Sequence, residues 1–393
     1  MRVLHVTDNY APATGGLERA VAALAQGLAA DGHAVDVVTM ARPDAPARER
    51  EGAVTVHRVA GWTRHLRRFS ADPGHHFHPT VPDPALARRL QELVDELRPD
   101  VVHAHGWIVH SCLGLRGAPL VVTLHDYGLT CAKKTMSREP DVACAGPALG
   151  RCLPCANAFY GPVKGTALTV GLRAARFDRV ALFLPISHAV ARACLPGVDP
   201  ARVAVVPSFV ADDVTAGARR PDFLPDGPFV LFVGALGEHK GVGLLAEAHR
   251  RMRADVPLVA LGPRRPDTPP LDGVLVRSGV PHPQIMGAYA AASVVAVPSR
   301  WPEPQGLVAI EAMASGAPVV ASAVGGLAEL VTPDTGALVP PGDVDALARA
   351  LDRMLAEPRR GGGPARAAAF TAGAVVPQVV AAYERSRATS PAA

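Results

Sequence analysis

Val294-Val295-Ala296-Val297-Pro298-Ser299-Arg300-Trp301-Pro302-Glu303-Pro304-Gln305-Gly306-Leu307-Val308-Ala309-Ile310-Glu311-Ala312-Met313-Ala314-Ser315-Gly316 decides the fold. The β-branched run at its head predicts a buried strand, Pro302 and Pro304 forbid regular structure between them, and apolar residues at helical spacing run from about Leu307 to Gly316. The order is strand, turn, helix. A helix entered through Gly306 offers unpaired backbone N–H groups and the positive end of its dipole, which suits a phosphate. Glu303 stays in the loop and Glu311 sits inside the helix, so the two acids cannot share a helix face. They reach different parts of one ligand.

Glu303, seven residues and Glu311, with Pro-Gln-Gly-Leu-Val between, resemble the E-x7-E signature of family-4 glycosyltransferases. The resemblance implies retaining enzymes of the α/β GT-B fold, two Rossmann-like doubly wound parallel-sheet domains facing across a cleft. It assigns Glu311 to the ribose of a nucleotide-sugar donor, Glu303 to the sugar, and Gln305, Gly306, Leu307 and Val308 to the donor-binding turn. Taken alone, the segment also reads as a loop acid followed by an exposed helix acid.

Moving toward the C-terminus, Val319–Ser322 predicts another strand and Gly325-Gly326 another tight helix start. Asp343-Val344-Asp345 has a D-x-D spelling, but it follows Pro-Pro-Gly and precedes a helical run, which predicts an N-cap. Gly361 to Pro364 reads as a hinge, and Thr371 to Arg385 as a terminal helix with Pro377 disturbing its start. The tail after Ser386 is expected to be disordered.

Toward the N-terminus, Val274–Arg277 is a strand leading to Gly279 and Val280, which the resemblance places beside the nucleotide base. Leu258–Leu261 and Phe229–Val233 are further strands. The latter runs into Gly234-Ala235-Leu236-Gly237-Glu238-His239-Lys240-Gly241, similar to the family loop in which an arginine and a lysine hold the donor diphosphate. Lys240 matches the lysine. Ala235 stands where the arginine is expected, so Arg264, Arg265, Arg300 or His239 would have to supply the second charge.

The first half repeats the alternation of strand and helix. Arg2–Thr7 is a strand followed by Gly15-Gly16 and a helical run, and the tandem glycines bring backbone close to a ligand or simply make a tight turn. This is not the G-x-G-x-x-G fingerprint, which argues against a nicotinamide-dependent dehydrogenase. In the family, the Gly-Gly loop approaches the donor diphosphate or the acceptor. Strands are predicted at Ala34–Thr39, Val54–Val59, 100–107 and Leu120–Leu124, with a helix over Asp83–Leu97 and a long loop from Arg64 to Pro84. That loop carries Gly74-His75-His76-Phe77-His78, read as solvated since no acid or cysteine lies beside it. A helix to about Phe177, a strand Ala181–Ile186, a helix Ser187–Cys194 and a strand Val203–Val206 follow. His125 stands at the end of the Leu120–Leu124 strand, and Thr123-Leu124-His125-Asp126 resembles the family motif whose histidine contacts the donor sugar.

Cys131, Cys144, Cys152 and Cys155 come next, flanked by Gly and Pro. The C-x2-C pair with two upstream cysteines predicts a loop ordered by structural zinc, with plain or redox-active thiols, disulfides and an iron–sulfur cluster as alternatives. It resembles a cysteine-bearing insertion in a subset of the family. Four thiolates would leave no open position for catalysis, and the family needs no catalytic metal.

The chain has 393 residues, 49% of them hydrophobic, and a formal net charge of +4. That suffices for two α/β cores, and its scattered basic residues do not form a nucleic-acid stripe, leaving at most peripheral membrane contact. With no apolar run of spanning length and no signal sequence, the chain is expected in the cytoplasm. The expected layout is an acceptor-side domain 1–207 carrying the cysteine loop 131–155, a linker 208–227, a donor domain 228–366, and a helix 367–388 returning to the first domain. The activity implied is transfer of a sugar from a nucleotide-diphosphate sugar, UDP favoured, to a hydroxyl of a small metabolite or cell-surface glycan. A nucleotide-sugar epimerase and a non-catalytic nucleotide-sugar-binding protein are the alternatives.

Overall fold

The computed structural model describes residues 1–12, 15–69, 78–139, 142–357 and 361–389. Residues 74–77 of the histidine run lie outside them. The chain divides into two compact units, one of Met1–Thr135, Gly146–Ser208 and Val375–Ala393, the other of Met136–Ala145 and Phe209–Ala374. Among the described residues no helix is long and apolar enough to cross a membrane.

The strands in chain order are β1 Arg2–Thr7, β2 Ala34–Met40, β3 Arg48–Glu51, β4 Val54–Val59, β5 Val101–His105, β6 Leu120–Leu124, β7 Ser137–Glu139, β8 Val142–Ala143, β9 Val180–Pro185, β10 Val230–Val233, β11 Leu258–Leu261, β12 Leu275–Arg277, β13 Val294–Val297, β14 Val319–Ser322 and β15 Gly336–Val339. The first unit's sheet has the order β3-β4-β2-β1-β5-β6-β9. It is parallel except at the edge, where polar β3 runs antiparallel to β4. The second unit's sheet, β12-β11-β10-β13-β14-β15, is parallel throughout. Both are Rossmann-like, with right-handed crossovers expected between parallel neighbours.

Parallel strands covered on both faces read as continuous apolar runs. Val294, Val295 and Ala296 are all buried at the centre of the second sheet. Each such valine contributes roughly 1.5–3 kcal/mol by burial; Val295 shares its core with Ala309, Ile310, Ala312 and Met313 of the helix Leu307–Ala314, and Val294 and Ala296 belong to a second core. Helix starts follow local chemistry. The Asp83 carboxylate accepts from the backbone N–H groups of Ala85 and Leu86 at 3.0 and 3.1 Å. Asp343 accepts from Ala346 N–H at 2.8 Å, an N-cap rather than a metal motif.

Several expectations are corrected. Cys152 and Cys155 lie on a helix, Leu149–Tyr160, not in a loop. It packs on the helix Pro162–Ala174, where a Cβ on Gly165 would sit 2.5 Å from the Ala156 carbonyl. The backbones touch there, and that packing outweighs the helix bond lost at Pro154. Val203–Val206 makes one isolated bridge, Val203 to Phe183, instead of a strand. Residues 64–69, expected in a loop, belong to a 3-10 turn that begins at Trp62. The expected hinge is helical over Gly362–Ala368, and the terminal helix runs unbroken by Pro377 over Ala372–Thr389, past the expected end. In the expected linker, Val210 and Leu224 enter the second core.

Candidate active site

In the second unit, β10 ends at Gly234, whose carbonyl would lie 1.9 Å from a Cβ on Gly262 at the end of β11. The missing side chain at Gly262 therefore lets the two loops pass. The chain continues to Lys240, whose Nζ donates to both oxygens of Glu303 at 2.9 and 2.9 Å. Ser299 Oγ donates to the same carboxylate at 3.0 Å. Lys240 also lies 5.3 Å from the Trp301 ring centroid. The lysine and the acid, assigned by sequence to diphosphate and sugar, thus meet each other. The Glu303 loop rests on Gly325-Gly326: Gly326 N–H donates to the Glu303 carbonyl at 2.7 Å, and a Cβ on Gly325 would lie 2.1 Å from that oxygen.

Gly325 has φ +52°. Gly325→Ala is expected to destabilise by roughly 1–3 kcal/mol and to reduce activity by shifting Glu303. Gly217→Ala, at φ +69° with nothing within 4 Å, isolates the backbone cost alone. Thermal melts and activity of both variants decide; equal activity loss in the two would rule out a specific effect on Glu303.

Gly306 takes φ +104°, and a Cβ there would meet Leu327 Cδ2 at 2.4 Å. No side chain caps the helix that starts at Leu307. Gln305 is buried, while Leu307 and Val308 are partly buried against the core. Within the helix, Glu311 accepts from Tyr289 OH at 3.3 Å and pairs with His282 Nε2 at 3.0 Å. Burial, then the facing carboxylate, pushes the Tyr289 phenol well above its ordinary value, so it remains a donor. Gly279 has φ +69° with open space around it, and Val280 packs on the core.

The cations near the Ala235 loop are sorted by the structure. The Arg300 guanidinium pairs with Glu238 at 3.0 Å, and the Arg300 backbone N–H donates to the His239 carbonyl at 2.9 Å. The Arg265 side chain borders Gly237, where an added Cβ would meet Arg265 Cδ at 3.1 Å. Burial and then Lys240 lower the His239 pKa, which disfavours its cationic form. Arg265 and Arg300 are the guanidinium groups beside this loop, and Arg264 meets it by backbone pairing with Leu236.

In the first unit, Gly15 is the extended residue before the helix Gly16–Ala30, and no side chain caps that helix. His125, just beyond β6, lines a pocket with Leu17, Trp107, Thr123, Asp126 and Leu129. Asp8, unassigned by sequence, accepts from Trp107 N–H at 2.9 Å and fixes the turn after β5. A Cβ on Gly106 in that turn would lie 2.5 Å from the Asp8 carboxylate.

No disulfide joins the six cysteines. Among the described residues, one group of three potential ligands has its donor atoms mutually within 4.8 Å, and it is His5, His103 and His105. Cys131, Cys144, Cys152 and Cys155 are not gathered in that way, and Cys144 belongs to the segment assigned to the second unit.

Two largely parallel Rossmann-like sheets, each with glycine-rich loops at its strand ends, are the architecture of the GT-B fold. Residues 14–214 match the family described as Glycosyltransferase Family 4, and residues 227–357 match Glycosyl transferases group 1. The chain belongs to Glycosyltransferase Family 4 and is a glycosyltransferase. It is 34% identical over 376 residues to a D-inositol 3-phosphate glycosyltransferase of Acidothermus cellulolyticus, covering 87% of this chain and 78% of that one. The sucrose-phosphate synthase of Thermosynechococcus elongatus has the same fold at TM-score 0.71 and 24% identity, over 99% of this chain and 100% of that one. Anabaena HepE, solved in complex with UDP, gives TM-score 0.64 at 18% identity, over 98% and 100%.

Proposed function

We propose that the protein is a retaining transferase that moves a sugar from a UDP-sugar to an acceptor hydroxyl. The observation that carries this reading is one turn and helix holding Glu303 against Lys240, an uncapped N-terminus at Gly306, and Glu311 oriented by Tyr289 and His282. In this reading the diphosphate takes Lys240 from Glu303 and rests at the Gly306 helix start, where the backbone N–H groups of Leu307 and Val308 lie. Glu311 holds the ribose, and Gly279 and Val280 border the base. Gly234, and Gly15 with Gly16 in the other unit, give backbone access to the donor. Glu303 and His125 are both assigned to the sugar. Arg265 or Arg300 supplies the charge missing at Ala235.

Retention is taken from the family resemblance; with no carboxylate assigned as a covalent nucleophile, this reading has substitution on one face, with the departing phosphate taking the acceptor proton. UDP is favoured because a structural neighbour was solved with it. A polyol phosphate is the first acceptor to test, given the inositol 3-phosphate relative; a glycan hydroxyl is the second.

Calorimetry with UDP, GDP and ADP tests the donor site. The wild type is expected to bind UDP, and Glu311→Ala to weaken it roughly 10- to 100-fold, the range for losing hydrogen bonds to a charged group. Equal binding by wild type and variant would remove Glu311 from the site. Incubation with donor alone separates transfer from epimerisation, and the anomeric configuration of the product decides retention.

A further inference from the structure

Three histidines fill one face of the first unit's sheet, and the proposed function uses none of them. His5 on β1 and His103 and His105 on β5 are fully buried. His103 and His105 occupy alternate strand positions, so both point to the same face, and His5 is the register partner of His103. His5 Nδ1 and His105 Nε2 are 3.0 Å apart. His105 Nδ1 and His125 Nε2 are also 3.0 Å apart. His103 lies beside His105 with ring centroids 4.1 Å apart and the planes tilted by 43°, its nitrogens held by Tyr383 OH and Thr123 Oγ1 at 2.7 and 2.7 Å. His5 Nε2, at the closed end, is buried without a hydrogen-bond partner.

A buried polar row with one unsatisfied atom is expensive where leucine or valine would pack without penalty, and it calls for a reason. A metal does not supply one. Both nitrogens of His103 and of His105 already have partners, and no carboxylate joins the group to offset a cation's charge.

We infer that His5 and His105 form an imidazole chain that sets the tautomer of His125, so that His125 presents Nδ1–H to the pocket it lines. This makes His105 the positioning residue for the sugar-facing histidine, and the inference rests on the assignment of His125 to the sugar. The steps follow from the contacts. Nε2 of His125 is taken by His105, leaving Nδ1 as the ring nitrogen for the pocket. Neutral imidazoles in a row carry their protons in one direction. If every N–H points toward the pocket, His5 Nε2 ends as a bare lone pair; if every N–H points inward, it ends as a stranded N–H. Orphaned buried donors are the rarer and costlier of the two. Burial keeps all four rings neutral, with His125 lowered to about 4 and His5 to about 3. The neutral state is what a chain of this kind requires.

The test is two-bond ¹H–¹⁵N spectroscopy of histidine-labelled, full-length protein, with His125 assigned by its loss in His125→Gln. The expected wild-type spectrum shows a single Nδ1–H tautomer for His125. His105→Leu should give the other tautomer or a mixture, with kcat lowered about tenfold, the size of one hydrogen bond, and donor KM nearly unchanged. His105→Asn, which keeps an N–H near the imidazole Nδ1 position, should restore most of both. An Nε2–H tautomer in the wild type overturns the inference and needs no variant to fold. So does a His125 spectrum indifferent to His105→Leu, or stoichiometric zinc that His5→Leu abolishes. Full transfer by His125→Ala with the tautomer as expected would instead overturn the sugar assignment and leave the chain standing.

Discussion

Lys240→Ala is expected to lower kcat/KM for sugar transfer by roughly 10²- to 10³-fold, the usual loss when one preorganised charge partner of a leaving group is removed. With alanine at position 235, Lys240 is the remaining cation of the two that the family loop supplies. Its stability effect should be small. The Lys240 and Glu303 side chains are 27% and 13% exposed, and partly exposed ion pairs contribute about 0–1 kcal/mol. The two effects therefore separate: activity collapses while the melting temperature moves little. Lys240→Arg should keep part of the activity, since charge is retained but the compact ammonium geometry is lost. Parallel loss of stability and activity would show that the pair with Glu303 is structural, and the diphosphate role would fall.

Acidification from pH 7.5 to 5.5 is expected to destabilise the first unit. His5, His103, His105 and His125 are held below the ordinary 6.5 by burial, with neighbouring histidines adding to the effect on His103 and His105. Below pH 6.5 the unfolded chain binds protons that the native chain refuses. Stability from these groups is complete above that pH and is lost progressively as pH falls toward 4. Each contributes a slope of about 1.4 kcal/mol per pH unit, so the four together contribute at most about 6 kcal/mol by pH 5.5. That is a large share of a typical domain's stability of about 5–15 kcal/mol. Urea midpoints at pH 7.5, 6.5 and 5.5 measure it, and His5→Leu should flatten the slope by one proton. A midpoint constant over this range would contradict neutral burial of the histidines.

Local chemistry was readable residue by residue. The strands Arg2–Thr7, Val54–Val59, Leu120–Leu124, Leu258–Leu261, Val294–Val297 and Val319–Ser322 coincide with their apolar runs. A parallel strand covered on both faces needs such a run, and little else in the chain produces one. Asp343 read as a cap because its neighbours carry helix-start signals. The cysteine segment misled because Gly and Pro are local loop signals, whereas its helix is stabilised by a neighbour that comes later in the chain. The glycine pair 325–326 was visible, but not its task under the Glu303 loop.

The sequence by itself determined the fold class and the family, and it singled out Lys240, Glu303, Glu311 and His125 as candidates, since each sits in a short motif whose backbone context is local. Only the tertiary structure decided which of them touch. Lys240 reaches Glu303 across 63 positions, His5 reaches His105 across 100, and His103 reaches Tyr383 across 280. Strand order and register set those meetings: parallel strands joined by crossovers bring distant residues side by side on one face, and no local pattern encodes which strand becomes the neighbour.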